Sequence, residues 1–295
     1  MAITAVLGFT NVLKPAGVTS AQTVARVRRI YTLYENDRKL AVGHLGTLDP
    51  QAAGVLPVAV GKATRLIPLL TDHRKSYVCT LVVGRSTTTA DATGKALEIR
   101  TVPDDWPARL QEIISRFTGA IEQVPPMFSA VHHNGQRLYR LAREGKTVER
   151  KKRRATIYAL TVLGVEANLA RLRVVCSEGT YVRTLCEDLG SAIQLPAHMG
   201  ALLREASGPF ILYESMTMEQ IAHDPQAALI APEHVIPFPT IVLDLRRSAD
   251  FRAGRIVPLP AGAPAKHVFV RDTTRTLVGV GESIGTLLAP RKVFV

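Results

Sequence analysis

The sequence predicts an α+β fold: a large domain on a mixed, mainly antiparallel sheet, followed by a small β-barrel-like module. Three observations carry this expectation. Strand and helix patterns mix without the regular βαβ rhythm of a parallel doubly wound sheet. Two neighbouring segments, 157–165 and 169–176, read as paired strands, the second with a clear two-residue period. A Pro-rich stretch over 222–240, with Pro225, Pro232, Pro237 and Pro239, separates this body from a tail of short strand patterns. The 295-residue chain is therefore expected to divide into 1–235 and 240–295.

Residues 20–34 read as the first helix, with Ser20 as its cap and Val24, Val27 and Tyr31 at helical spacing. Residues 55–60 form a short apolar run after Gly54, suited to a buried strand, and 76–83 are rich in strand formers. Residues 107–117 make the clearest helix, because Leu110, Ile113, Ile114 and Phe117 stand at i, i+3, i+4 and i+7. A short helical pattern follows at 136–143. In the strand 169–176, Ala170, Leu172, Val174 and Cys176 share one face, and Arg171 and Arg173 the other. The turn between this strand and 157–165 falls at Glu166-Ala167-Asn168, and 180–193 reads as a helix. Beyond the Pro-rich stretch, 240–245, 267–270, 277–280 and 292–295 are strand candidates for the small module.

Composition narrows the function. Hydrophobic residues make up 46% and charged residues 21%, which excludes a disordered chain. The three cysteines, Cys79, Cys176 and Cys186, are far apart and odd in number, so a disulfide framework or zinc knuckle is not expected and a reducing compartment is. No apolar run approaches the roughly 18 residues of a membrane span, and the start lacks a basic leader, so a cytoplasmic protein is expected. Lys and Arg number 37 against 25 Asp and Glu, a net +12, which attracts polyanions. Two thirds of that surplus lies in 131–183, with 12 basic and 4 acidic residues. Within it, Arg150-Lys151-Lys152-Arg153-Arg154 is an uninterrupted cationic run, expected to be a solvated or partner-bound loop between ordered elements and hence a phosphate-contacting surface. A second cluster, Arg26, Arg28, Arg29, Arg38 and Lys39, is placed after the first helix.

The most unusual segment is 43–61, in which Asp49 is the only carboxylate, before Pro50 and among glycines. Proline disfavours helix at Asp49 and holds its backbone extended, and glycines permit close approach to the backbone. Taken alone, an Asp before a proline is also an ordinary turn residue. Gln51 stands where an aspartyl phosphatase needs a second Asp, Pro50-Gln51 breaks the Asp-Thr/Ser-Gly of aspartic proteases, and no P-loop motif occurs.

This segment resembles the catalytic motif of the TruB-type tRNA pseudouridine synthases. Three more segments agree in the family's order. Lys14-Pro15-Ala16-Gly17-Val18-Thr19-Ser20 resembles its opening motif. Arg74-Lys75-Ser76-Tyr77 resembles the strand bearing its active-site tyrosine. Gly179-Thr180-Tyr181-Val182-Arg183-Thr184-Leu185 resembles its later Gly-Thr-Tyr-Ile/Val-Arg-x-Leu motif. Segments 125–131 and 197–198 add weaker agreement, so the likeness runs from about Gly8 to Gly208.

The resemblance implies a pseudouridine-synthase catalytic domain with a PUA-like RNA-binding module at the C-terminus. It implies that Asp49 is the catalytic carboxylate, that Tyr77 stacks on the target uracil, and that Arg183 pairs with Asp49. His44 would help hold the flipped loop, Leu202 would line the pocket, and Lys14 and Pro15 would support its wall. Tyr181 belongs to the same substrate-binding set, and Arg150, Lys151, Lys152, Arg153 and Arg154 would contact phosphates. One departure stands out: many members read Leu-Arg-Arg where this chain reads Leu202-Leu203-Arg204.

The implied reaction is isomerisation of uridine to pseudouridine at position 55 in the tRNA T-loop, with tRNA as partner. It needs no oxidant and no phosphoryl transfer, so no cofactor and no metal are expected. It does need an ionised carboxylate, and attack on the sugar, attack on the base and a glycal route remain open. The resemblance suggests a monomer, and a stand-alone enzyme without obligatory protein partners is expected because the chain ends without the Lys-rich tail of guide-directed relatives. The competing readings are a guide-directed enzyme on other RNA, and a catalytically silent RNA-binding protein.

Overall fold

A computed structural model describes residues 6–37, 39–129, 131–133, 135–260 and 265–294, with nothing described of the side chains of residues 133 and 143. Of the residues singled out above, Arg38, Ala130 and Val295 lie outside that set.

The chain opens with strand β1 (Leu7–Lys14), helix α1 (Ser20–Glu35), β2 (Val42–His44) and β3 (Ala53–Gly61). Then come β4 (Lys75–Val83) and a hairpin of β5 (Arg85–Thr87) and β6 (Ala96–Ile99). Helix α2 (Trp106–Ile113) continues into a 3-10 turn, Ile114–Phe117, and leads to β7 (Gly119–Gln123). A small hairpin, β8 (His132–His133) with β9 (Gln136–Arg137), precedes α3 (Leu138–Arg143). The long pair β10 (Arg153–Glu166) and β11 (Leu169–Cys176) leads to α4 (Val182–Ala192), β12 (Ala197–Ser207) and β13 (Phe210–Ile211). Helices α5 (Met218–His223) and α6 (Pro232–Val235) bridge to the tail. The tail contains β14 (Thr240–Val242), α7 (Leu245–Arg252), β15 (Val257–Pro258), β16 (His267–Arg271), β17 (Leu277–Ile284) and β18 (Leu287–Val293).

Nine strands form the main sheet, in the order β1-β3-β12-β4-β11-β10-β7, with β2 on β3 and β13 on β12. Every pairing is antiparallel except β3 with β12. The alternation expected in β11 is present: Ala170, Leu172, Val174 and Cys176 are buried and Arg171 and Arg173 exposed. β4 alternates in the same way, burying Tyr77, Cys79 and Leu81. Helices α1, α2 and α4 close one core over this face, joining Val24, Val27, Leu110, Leu185 and Leu189 to Cys79, Leu81, Leu172 and Val174. Removing such side chains from water contributes roughly 1.5–3 kcal/mol each. All three cysteines are buried and free.

Five strands form the second sheet, β14-β16-β17-β18-β15, around Leu243, Phe251, Val257, Val268, Val270, Val278 and Leu288. A further cluster joins this PUA-like module to the main sheet, with Phe269, Val280 and Phe294 from one side and Phe9, Val55 and Phe210 from the other. The Pro-rich segment is built into that junction: Val235 and Ile236 are buried in it, and Ile230 and Phe9 exchange main-chain hydrogen bonds at 2.7 and 2.8 Å.

Several local expectations need correction. The cap of α1 is Thr19, whose hydroxyl accepts from Gln22 N–H at 3.1 Å in a reciprocal capping box. Arg26, Arg28 and Arg29 lie on α1 rather than after it. Arg153 and Arg154 are strand residues, paired with Gln123 and Glu122 of β7, so the cationic run is only partly loop. Residues 245–252 are helical where the strand 240–245 was expected to end, because Asp244 caps them by accepting from Arg247 N–H at 2.7 Å.

Candidate active site

The site is built around the turn between β2 and β3. Pro50 disfavours helix at Asp49, and several main-chain groups on either side of it are held by side chains and main chain from other parts of the fold. Ser20, relieved of capping, donates to Leu48 O at 2.8 Å and accepts from Leu48 N–H at 2.9 Å. Asp49 O accepts from Ala52 N–H at 3.1 Å. Pro50 O accepts from Gly17 N–H at 2.8 Å and from Lys14 Nζ at 3.1 Å. Lys14 also donates to Pro15 O at 2.8 Å and Val18 O at 2.6 Å, so three carbonyls match the three N–H groups of an ammonium. The opening motif thus holds the Asp49 turn from below.

From β12, Arg204 holds the other side. It is 1% exposed and donates to Val55 O at 2.7 Å, Thr47 O at 3.1 Å and Gly46 O at 3.2 Å. Gly54 has φ of +110° and sits against the Arg204 main chain, where an added Cβ would meet Arg204 O at 2.3 Å. Only glycine meets both demands.

Arg183 reaches the turn from the second residue of α4. Its Nε lies 3.0 Å from Asp49 Oδ2, with side chains 6% and 39% exposed. The carboxylate is therefore gripped by a buried guanidinium while remaining reachable from solvent. The same guanidinium donates to Phe128 O at 2.8 Å and faces Asp91 Oδ2 at 3.8 Å. Asp91 is fixed by Thr89 and Thr93, whose hydroxyls donate to its Oδ1 at 2.6 and 2.5 Å. The pairing of Arg183 with Glu187 that their i, i+4 spacing permits is not the one formed.

Tyr77 is buried on β4, with Arg204 as its cross-strand partner. Burial raises its phenol above the ordinary value, the Arg204 guanidinium opposes this, and Asp49 adds to it. At neutral pH it is a neutral phenol. His44 is held below its usual value by burial, then by Arg204 and Arg137, and its Nδ1 accepts from Gly46 N–H at 3.3 Å. The neutral ring therefore carries its proton on Nε2. Lys14 is lowered to about 8 by burial and Arg204, against the pull of Asp49. Lys75, two residues before Tyr77, is lowered to about 8 by burial and Arg204, and donates to Ser207 Oγ at 2.7 Å.

The residues expected at the site fall into two groups. Asp49, Tyr77, Arg183, His44 and Lys14 come together around the turn. Leu202 lies on the same face of the sheet, opposite Cys79 in register, and is half-buried. Tyr181 stands just before α4, its main chain gripped by Gln123, which accepts from Tyr181 N–H at 3.0 Å and donates to Tyr181 O at 3.2 Å. The cationic run is apart from the turn. Lys151, Lys152, Arg153 and Arg154 are exposed, whereas Arg150 turns inward and donates to Pro125 O at 3.1 Å. Among the described residues, no group of three or more His, Cys, Asp or Glu side chains could hold a metal ion, and no helix is long and apolar enough to cross a membrane.

Sequence reasoning missed Arg204, Asp91, Gln123 and Ser20 as site-building residues. A signal existed for two of them. Arg204 is a cation at a core-facing strand position, and Asp91 sits in a Thr-x-Asp-x-Thr pattern typical of a side-chain-closed turn.

Comparison with known proteins gives the family of the chain. The model for the TruB family pseudouridylate synthase N-terminal domain matches residues 31–182, and that for the tRNA pseudouridylate synthase B C-terminal domain matches 183–232. A tRNA pseudouridine synthase B of Syntrophomonas wolfei is 43% identical over 97% of this chain and 98% of its own. One of Caldanaerobacter subterraneus is 37% identical over 97% and 99%. Among solved structures, a Cbf5-Nop10-Gar1 complex contains a chain 27% identical, with a TM-score of 0.67, covering 98% of this chain and 85% of that one. With its length shared almost end to end by such relatives, the chain belongs to the TruB family of pseudouridylate synthases.

Proposed function

We propose that this protein isomerises uridine to pseudouridine at position 55, in the T-loop of tRNA, with Asp49 as its catalytic carboxylate. The observation that carries this reading is the 3.0 Å contact between a solvent-reachable Asp49 and a buried Arg183, in a chain whose relatives are named tRNA pseudouridine synthase B.

The reaction breaks the bond from uracil N1 to ribose C1′ and forms one from C5 to C1′. C5 loses a proton and N1 gains one. Every route needs an ionised carboxylate beside the nucleotide and a site that tolerates a uracil bearing negative charge. Arg183 favours the ionised form of Asp49 and orients its oxygens through a charge-assisted hydrogen bond. The hydrogen bonds to the turn on both sides of Asp49 keep the carboxylate in place before substrate arrives, which lowers the reorganisation needed at the moment of reaction. The target uridine must leave its stack, at a cost of a few kcal/mol. The Tyr77 ring offsets part of this by stacking, worth roughly 1–3 kcal/mol. As a neutral phenol it offers a hydroxyl dipole to the C5 proton, not a resident base.

The remaining assignments follow. Residues 1–235 form the catalytic domain, and 240–295 bind RNA outside the pocket. His44, Lys14, Tyr181 and Leu202 shape the nucleotide site, and Lys151 to Arg154 meet phosphates. The enzyme acts as a monomer in the cytoplasm, without obligatory protein partners.

The test is release of tritium from C5 of labelled uracil in a tRNA transcript. Wild type should release it, Asp49→Ala should not, and a transcript lacking the T-loop uridine should give none. Full turnover by Asp49→Ala would refute the assignment. Binding of tRNA without release by wild type would establish a silent RNA-binding protein instead.

A further inference from the structure

We propose that Arg204 is a positioning residue for this site, clamping the main chain on both sides of Asp49 while fixing its cross-strand neighbour Tyr77. The proposal rests on the catalytic reading of Asp49 and Tyr77 given above. Arg204 is the largest of the fully buried side chains, and among the described residues it has no carboxylate within ion-pair distance. An unpaired buried charge costs several kcal/mol, and an apolar side chain of like volume serves a core better. What the charge gains here is not a counter-ion but main chain.

Its three donors go to Gly46 O and Thr47 O, which precede Asp49, and to Val55 O, which follows it. Lys14, Gly17 and Ser20 hold the segment between, at Leu48 and Pro50. The turn is thus pinned from two directions, and its carboxylate is aimed at Arg183. Arg204 also stands opposite Tyr77 in the β12–β4 ladder, and its field reaches Tyr77, His44, Lys14 and Lys75 alike. A planar fork fixes the direction of each N–H over a span that an ammonium, with three donors on one rotatable nitrogen, does not cover in the same geometry.

Two variants test this, Arg204→Lys, which keeps the charge and loses the fork, and Arg204→Gln, which loses the charge. With enzyme in excess over tRNA, both should slow single-turnover tritium release by about 100-fold, the scale of a roughly 1 Å misplacement. The Kd for tRNA should stay within about threefold, because exposed cations carry affinity. In protein labelled with 3-fluorotyrosine, the ¹⁹F resonance that disappears in Tyr77→Phe should shift in both variants. Release rates within about threefold of wild type would overturn the proposal. So would rate and affinity falling together with the Tyr77 resonance unmoved, or failure of both variants to fold by circular dichroism, which would make Arg204 a residue of stability alone. A wild type that releases no tritium would instead sink the catalytic reading, so the two failures are distinguishable.

Discussion

The positive charge of this protein falls into two populations that behave oppositely. Around Asp49, the cations Arg183, Arg204 and Lys14 are buried and spend their donors on named oxygens of the chain itself. On the β10 side, Lys151, Lys152, Arg153 and Arg154 are exposed, and among the described residues the one ion pair they make, Lys152 with Glu122, is loose at 3.7 Å. The first population sets geometry, and its interactions are screened by salt less than those of exposed cations. The second contributes little to stability and is free to exchange counter-ions for phosphates. A net charge summed over the chain hides this division. Position relative to the sheet reveals it.

The division breaks most visibly at Arg183. Arg183→Met leaves Asp49 and Asp91 without their shared guanidinium, so stability should fall by about 1–3 kcal/mol, with tritium release lost as well. Urea unfolding beside the release assay separates the two effects. Equal stability in wild type and variant would show that the pair is only a surface contact. Next in size, changing Lys151, Lys152, Arg153 and Arg154 together to Gln should weaken tRNA binding by about 10–100-fold in low salt and flatten its salt dependence. The rate at saturating tRNA should stay unchanged. A fall in that rate with an unaltered salt slope would place these cations in the first population. Of comparable size in stability, Ser20→Ala removes both hydrogen bonds to Leu48 and should cost about 1–3 kcal/mol. Thr19→Ala, which removes only the helix cap, should cost about 1 kcal/mol and leave the release rate alone.

The same division explains what was legible in the sequence. The β11 alternation was readable because one face of the strand is buried and the other wet, and the helix expected over 107–117, present as α2 with a 3-10 turn after it, because its apolar stripe repeats locally. Asp49, Tyr77 and Arg183 could be singled out as candidates because each lies in a short motif whose residues sit side by side, and the fold brings the three together. Arg204 was not, since its partners are carbonyls 149–158 positions away, and carbonyls belong to every residue. Gln123 was hidden for the same reason, its partner being the Tyr181 main chain. The helix 245–252 escaped because it buries only Ser248 and Phe251, too few apolar positions to set a period. The cationic run was read as loop from its self-repulsion, yet β7 offers Arg153 and Arg154 a strand partner while their side chains stay in water.

An effect of similar size, confined to one pH range, lies one turn along α4 from Arg183. Glu187 is raised to about 6 from 4.5, by burial first and Asp188 second, with Arg183 and Arg150 opposing. A carboxyl whose folded value exceeds its unfolded one keeps its proton in the native state where the unfolded chain has lost it. Stability therefore falls as pH rises from about 4.5 to about 6, and the loss is constant above that. Glu187→Gln should stabilise the protein by about 1–2 kcal/mol at pH 7.5 and by nothing at pH 4, measured by urea unfolding at both. If the gain were equal at the two pH values, packing and not charge would be responsible. If the variant were less stable at pH 7.5, Glu187 would be a working counter-ion of Arg183, and the Arg183 guanidinium would be shared among three carboxylates, with less of its hold left for Asp49.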